Sequence, residues 1–408
     1  MQVLFFSPRS FWPANSGARI RDYYLLRALT SRASVSFLGI CGADQDAAPP
    51  SLSCGLTLAT FNLAPKKRGY SLAGIVRGFA GPTPINILNY WDQRVAHELR
   101  QLLQEHIFDI VQMEGIHLAS YLPIIRSARS RIPVVCDWHD VESDRMSRFS
   151  AHAPGWAQRL YARRTSQLLQ KAESRLLQEC EAHVVVSDRD ASLLRELSPQ
   201  ASIHVIENGV DVGYYLNGNG AAEAPGFAAR HHVVFVGSMD FQANVDAARY
   251  FALEVWPQLQ ASNPHSRFVI VGSRPLPQVQ ELARLPGVTV TGTVDDVRPY
   301  YAQAFAAIAP LRVAGGTRLK ILEAMAAGVP LVSTTIGAEG LAAVPGRHLL
   351  LGDSPQQLLA ALVNLRNSPG LWHNLSQAGR ELVSTRYDWS KIGSSLYDLH
   401  CALLKTSQ

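Results

Sequence analysis

Short β-rich apolar runs alternate with helical stretches along nearly the whole chain, and they do so in two rounds. That alternation commits a chain to parallel sheets with helices on both faces. In the first round, strands are expected at Val3–Ser7, Val35–Ile40, Asp109–Met113, Val134–Asp137, His183–Ser187 and Ile203–Ile206, with helices at Ala18–Thr30 and Trp156–Glu179. Several of these runs are continuously apolar, as strands covered on both faces are. Residues 213–231, rich in Gly, Asn, Ala and Pro without periodicity, read as a linker or surface loop. The second round places strands at His232–Val236, Phe268–Val271, Val288–Thr291, Ala306–Ala309 and Leu331–Ser333. Its helices are expected at Asn244–Gln260, Pro277–Leu285, Asp296–Ala304 and Thr317–Ala327. The expected division is therefore an α/β domain over 1–208, a second over 209–389, and a final helix over 390–408 that crosses back to the first. Open sheets of this kind bind ligands at the carboxyl ends of their strands.

Composition narrows the partners. Hydrophobic residues make up 47% of the 408, which is enough for two buried cores, and the net charge of +5 suits nucleotides, anionic membrane surfaces or polyanionic polymers. Nucleic acid is disfavoured, because the longest basic run is Lys66-Lys67-Arg68 and no aromatic–basic interleave accompanies it. Five cysteines at wide spacing with no Cys-x-x-Cys read as free thiols in a reducing compartment, not a zinc site. No apolar stretch reaches the ~18–20 residues of a membrane span, and the apolar N-terminus reads as a strand. The expectation is a cytoplasmic chain. Arg159 and Arg163, one turn apart beside Trp156, Leu160 and Tyr161, give either a solvated helix face or a surface that rests on an anionic bilayer at the inner membrane face. Lys66–Arg68 with Tyr70, Leu72, Ile75 and Val76 is a second such stretch.

Residues 311–340 carry the most chemistry. A strand ends near Pro310, Gly315-Gly316 gives an open turn, Thr317 is placed to cap a helix, and strong helix formers run to Ala327 before Gly328 and Pro330 stop it. The first N–H groups of such a helix have no partner and carry the positive end of the dipole, which makes an anion site. Arg318 and Lys320 add two cations to that first turn, where they are unfavourable unless an anion such as a diphosphate binds. Glu323, one turn along, suits two vicinal ribose hydroxyls. A plain surface pair of Lys320 with Glu323 is the competing explanation.

This segment resembles the donor-binding motif of retaining GT-B glycosyltransferases, the family of sucrose synthases and phosphatidylinositol mannosyltransferases. The family pattern Glu-Ala-Met-Ala-x-Gly-x-Pro-Val is matched from Glu323 to Leu331, with Leu331 at the last position. Asn208-Gly209-Val210-Asp211, Val234-Phe235-Val236-Gly237 and Arg386-Tyr387-Asp388-Trp389 resemble further family fragments, in the family's order. The resemblance implies two facing Rossmann-like domains that close on the donor, and transfer of a sugar from a nucleoside diphosphate, of UDP or GDP type, to a glycan, lipid-linked or polysaccharide acceptor. It implies no enzymic nucleophile: the leaving β-phosphate takes the acceptor proton, and Arg318, Lys320 and the amides of Gly315, Gly316 and Thr317 stabilise its charge. Glu323 corresponds to the ribose-binding Glu, Ser238 lies in the diphosphate-binding turn, and Thr293 and Val294 are the base-binding candidates. No cofactor and no metal is expected. The chain departs from the pattern at Gly315, where the family has its first Glu, and at Ser238 and Ala243, where the family has Arg and Lys.

In the first domain, no Gly-x-Gly-x-x-Gly follows the first strand, which disfavours a nicotinamide dehydrogenase. Gly17 is the candidate for the family's glycine loop at the donor diphosphate, with Asn15 and Arg21 beside it as acceptor candidates; an ordinary turn before a helix also explains Gly17. After the strand at Val134 come His139, Asp140 and Glu142. His139 resembles the family His near the donor sugar and is read as catalytic, while Asp140, Glu142 and Glu114 are acceptor candidates. Two other functions remain open on these residues: a sugar-nucleotide 2-epimerase on the same fold, and a nucleotide-binding protein without turnover.

Overall fold

The computed structural model describes residues 1–14, 16–42, 56–66, 77–128, 131–153, 155–216, 225–313 and 319–406. The chain divides into two compact units, one of Met1–Glu207 with Ile392–Gln408, the other of Asn208–Lys391.

Among the described residues, the first unit holds seven parallel strands: β1 (Gln2–Ser7), β2 (Ser34–Gly42), β3 (Thr60–Lys66), β4 (Ile110–Glu114), β5 (Val134–Trp138), β6 (Ala182–Val185) and β7 (Ile203–Val205), in the order β3-β2-β1-β4-β5-β6-β7. Every residue of β1 from Val3 to Ser7, and all of β4, β5 and β6, is buried, as their continuous apolar runs require. Leu4 and Phe6 enter the core that also takes Val111, Met113 and Tyr121, while Phe5 points to the other face beside Phe37, which stacks on Phe61 at 5.4 Å between ring centroids. The strand order reverses between β1 and β4, so their carboxyl ends flank a crevice for ligand.

The second unit repeats the plan with β8 (His232–Val236), β9 (Arg267–Val271), β10 (Val288–Gly292), β11 (Ala304–Ala309), β12 (Leu331–Ser333) and β13 (Leu350–Leu351), all parallel in the order β10-β9-β8-β11-β12-β13. Here the reversal lies between β8 and β11. One face of this sheet packs Phe235, Phe251, Trp256 and Phe268, and the other packs Val234, Ile321, Met325 and Tyr387.

Three expectations need correction. Strand β3 escaped the sequence because Pro65 interrupts it; it is an edge strand, where a missing N–H is tolerated. The helix expected over Asn244–Gln260 is Gln242–Tyr250, a π-helical stretch Phe251–Val255, then Trp256–Ser262. Pro257 lacks the N–H that an α-helix would direct to the carbonyl of Leu253, and the wider turn accommodates it. The helix expected over Asp296–Ala304 spans only Arg298–Ala302, because Ala304 already pairs with His232 in the sheet.

The ends of β8 and β9 meet at two glycines. A Cβ on Gly272 would lie 1.6 Å from the carbonyl oxygen of Gly237, a position no side chain can take. We therefore expect Gly272→Ala to destabilise the second unit by about 4 kcal/mol or more, read as a lost or strongly lowered thermal transition; an unchanged melting temperature would refute the packing described.

Candidate functional site

In the first unit, polar and charged groups gather where β1, β4 and β5 end. Ser7, the last residue of β1, donates its hydroxyl to Asp22 Oδ2 at 2.8 Å, and the Arg9 guanidinium lies 3.2 Å from the same oxygen. Asp22 is carried by the helix Gly17–Thr30 and is fully buried. Beside it, Arg21 is also fully buried and grips Asp137 on β5 with two hydrogen bonds, 2.9 Å from Nε and 3.1 Å from Nη2. The same guanidinium donates to the carbonyls of Ile206 at 2.9 Å and Glu207 at 3.0 Å. Burial pushes the Asp137 carboxyl up to about 6 against the pull of Arg21.

Two residues past Asp137, the His139 ring stands with Nε2 2.8 Å from Glu114 Oε2 and 3.6 Å from Asp22 Oδ1. His139 keeps 18% of its side chain exposed, whereas Glu114 at the end of β4 keeps none. Burial, helped by the charge of Arg9, lowers His139 to about 4, and burial beside Asp22 raises Glu114 to about 8. Ligand atoms of Asp22, Glu114 and His139 lie within 4.8 Å of one another, close enough to hold a cation. The Arg9 guanidinium already supplies that cation to Asp22, so these groups are read as a hydrogen-bonded cluster.

A more open group adjoins it. Arg145 lies 3.4 Å from Asp140 and pairs with Glu142. Asn86 donates to Glu142 at 3.4 Å, and His117 Nε2 is 3.9 Å from the same carboxylate. Burial raises Asp140 to about 7. Gly17 starts its helix exposed; Ser16 before it makes no side-chain cap, and the first turn has no acidic residue.

In the second unit, Lys320 on the helix Leu319–Ala326 reaches the end of β8. Its Nζ donates to Asn244 Oδ1 at 2.6 Å and lies 4.3 Å from the centre of the Phe235 ring. Asn244 is oriented in turn, since its Nδ2 donates to the Ser238 carbonyl at 2.9 Å. Gly237 makes this approach possible: a Cβ there would stand 3.0 Å from Lys320 Nζ and 2.7 Å from Asn244 Nδ2. Glu323, one turn after Lys320, is half-buried and hydrogen-bonded by Tyr301; burial raises it to about 7 while Lys320 and Tyr301 oppose the shift. Nearby, Arg298 lies 3.9 Å from the centre of the Tyr214 ring, and the Tyr214 hydroxyl donates to Asp296 at 3.1 Å. Thr293 is exposed in the loop after β10, and Val294 packs partly buried against the core that holds Ile321 and Leu322.

The family description "Glycosyltransferase Family 4" matches residues 23–214, and "Glycosyl transferases group 1" matches 230–368, so that the two account for both units. The chain belongs to the GT-B glycosyltransferases. A glycogen synthase of Mycobacterium tuberculosis is 25% identical over 289 residues, 66% of this chain and 63% of the synthase. The chain thus spans less than two thirds of the length of the curated relatives it matches. Among solved structures, the sucrose-phosphate synthase of Thermosynechococcus elongatus superposes with a TM-score of 0.69 at 17% identity over 100% of both chains. Anabaena HepE in complex with UDP gives 0.66 at 14% identity over 98% of this chain and 100% of its own.

In this glycosyltransferase two sequence-level assignments must be revised. Arg21 is not an acceptor contact, because its guanidinium is entirely enclosed by Asp137 and two backbone carbonyls. Glu114 is not one either, because it is fully buried beneath His139. Asp140 and Glu142 lie together with Arg145, and Lys320, Glu323 and Ser238 lie in one region of the second unit. Asn15, Gly315, Gly316, Thr317 and Arg318 fall outside the described residues. Asn244 and Asp22 were missed by the sequence reading. Asn244 sits in the first turn of the helix Gln242–Tyr250, close after the end of β8, a position that marks it; Asp22, farther along its helix, carried no such signal.

Removing one partner of a buried ion pair strands the other charge. Arg21→Met should therefore cost the first unit about 3–5 kcal/mol in urea denaturation, and the double variant Arg21→Met/Asp137→Leu should recover most of it. Equal losses in the single and double variants would show that the pair is not what matters.

Proposed function

We propose that this enzyme is a retaining glycosyltransferase that moves a sugar from a nucleoside-diphosphate sugar, of UDP or GDP type, to a hydroxyl of a glycan, lipid-linked or polysaccharide acceptor. The observation that carries this reading is Lys320, held by Asn244 at the end of β8 over Gly237, with Glu323 one turn along the same helix. A fixed ammonium at a strand end suits a diphosphate, and a carboxylate one turn on suits a ribose diol. Two vicinal hydroxyls donating to Glu323 would favour its ionised form, which burial alone disfavours. Anabaena HepE, solved with UDP and with UDP-glucose, supports the donor class.

In this mechanism the bond from the anomeric carbon to the diphosphate breaks, and the acceptor oxygen bonds to the same face of the carbon. The leaving phosphate takes the acceptor's proton. Lys320, with Arg318 and the amides of Gly315, Gly316 and Thr317, meets the charge that grows on the diphosphate, so the chemistry runs on protein cations. Ser238 serves the same diphosphate, and Thr293 and Val294 take the base. His139 positions the sugar, and Asp140 and Glu142, which share Arg145, take acceptor hydroxyls.

Lys320→Ala should keep its melting temperature but lose stabilisation by UDP or GDP in calorimetry, and its turnover should fall on the order of 10²-fold. A folded variant with unchanged nucleotide affinity and rate would sink the diphosphate assignment.

No described helix is long and apolar enough to cross a membrane. The start of the helix Trp156–Glu179 nevertheless leaves Trp156 79% and Leu160 53% exposed, with Arg159 and Arg163 exposed beside them. That pairing of apolar and cationic groups fits peripheral contact with an anionic bilayer. Trp156→Ser/Leu160→Ser should weaken sedimentation with phosphatidylserine vesicles by about tenfold and leave turnover on a soluble acceptor unchanged; equal sedimentation would exclude this surface.

A further inference from the structure

His139 does not stand alone on Glu114: a buried row of hydrogen bonds runs behind it. Glu114 Oε1 accepts from the Gln112 side-chain amide at 3.0 Å, and the Gln112 oxygen lies 2.9 Å from His400 Nε2 in the final helix. Gln112, Glu114 and His400 are each 0% exposed. His400 Nδ1 has no partner among the described residues, and burial lowers the ring to about 4, so it is neutral. Its one ring proton is therefore best placed on Nε2, where the Gln112 oxygen accepts it. That orients the Gln112 amide with its N–H groups toward Glu114 and leaves only Glu114 Oε2 to face His139.

A single hydrogen occupies the 2.8 Å between Glu114 Oε2 and His139 Nε2. Its owner follows from the partners of the two neighbouring carboxyls. Asp22 receives the Ser7 hydroxyl and the Arg9 guanidinium, whereas Glu114 receives one neutral amide. Two carboxylates this close do not both stay ionised in a buried place, and the one with weaker donors takes the proton. Arg21 does not alter the choice, because Asp137 neutralises it. Cys136 on the neighbouring strand and the lowered His117 nearby add no positive charge.

We infer that Glu114 is a positioning residue that donates a carboxyl proton to His139 Nε2, holding the imidazole as the Nδ1–H tautomer and making His139 a neutral hydrogen-bond donor to the substrate rather than a general base. The catalytic part of this inference rests on the proposed transfer reaction; the tautomer does not. Glu114→Gln replaces the O–H donor by an amide N–H in the same direction. If Glu114 were instead a carboxylate accepting from His139, the same change would set two donors against each other.

The test is nitrogen NMR of the full-length protein with labelled histidine, with His139 assigned through His139→Gln, alongside pH–rate profiles. We expect the wild-type His139 to be protonated on Nδ1 and bare on Nε2 at neutral pH. Glu114→Gln should keep that pattern and keep kcat within about threefold. Wild-type turnover should fall as pH rises through about 8, where Glu114 ionises, and Glu114→Gln should lose that fall. An Nε2-protonated His139 in the wild type overturns the inference, as does a folded Glu114→Gln that is as inactive as His139→Gln. A chain with the expected tautomer that transfers no sugar overturns the functional reading alone.

Discussion

The first unit is organised around one buried ion pair. Arg21 and Asp137 are both withdrawn from water, and each charge is tolerable only because the other meets it with two hydrogen bonds. The guanidinium has donors to spare, and these close the carbonyls that follow β7. One side chain thus ties the first helix to β5 and to the end of the sheet. The neighbours in sequence inherit that rigidity: Asp22 follows Arg21, and His139 comes two residues after Asp137. A pair that contributes little net stability can still set where the reactive groups stand.

Around that pair, cations meet carboxylates. Arg9 faces Asp22, Arg21 faces Asp137, and Arg145 serves Asp140 and Glu142. Glu114 has no cation of its own, and with the Asp22 carboxylate close by, the buried acid and the buried imidazole settle as neutral partners. The opposed shifts, the acid upward and the base downward, share their largest cause, the loss of water, with Asp22 and Arg9 adding to them.

The second unit solves a different problem, which is to bring a lysine against backbone. Gly272 lets β9 pass the Gly237 carbonyl, Gly237 leaves room for the ammonium, and Asn244 holds it. The usual cations of this family are absent at Ser238 and Ala243. Lys320, reaching the end of β8 from the helix after β11, places a cation in the same neighbourhood by another route.

Periodicity and composition by themselves determined the two α/β units, most of their strands, and the long helix Trp156–Glu179, because burial on both faces writes continuous apolar runs into a sequence. The rule that ligands gather at strand ends singled out His139 and Asp140 as candidates, and the cationic first turn of a helix singled out Lys320 and Glu323. The edge strand β3 was hidden because Pro65 erases its pattern, and β13 because two residues carry none. Only the tertiary structure decided that Arg21 and Glu114 lie inside, since a charged residue reads as exposed until its partner, 116 residues away for Arg21 and Asp137, is brought beside it. For the same reason the row from His400 through Gln112 and Glu114 to His139 was beyond any local reading. Its members come from the far end of the chain, β4 and the turn after β5, and hydrogen bonds across such separations leave no periodic trace.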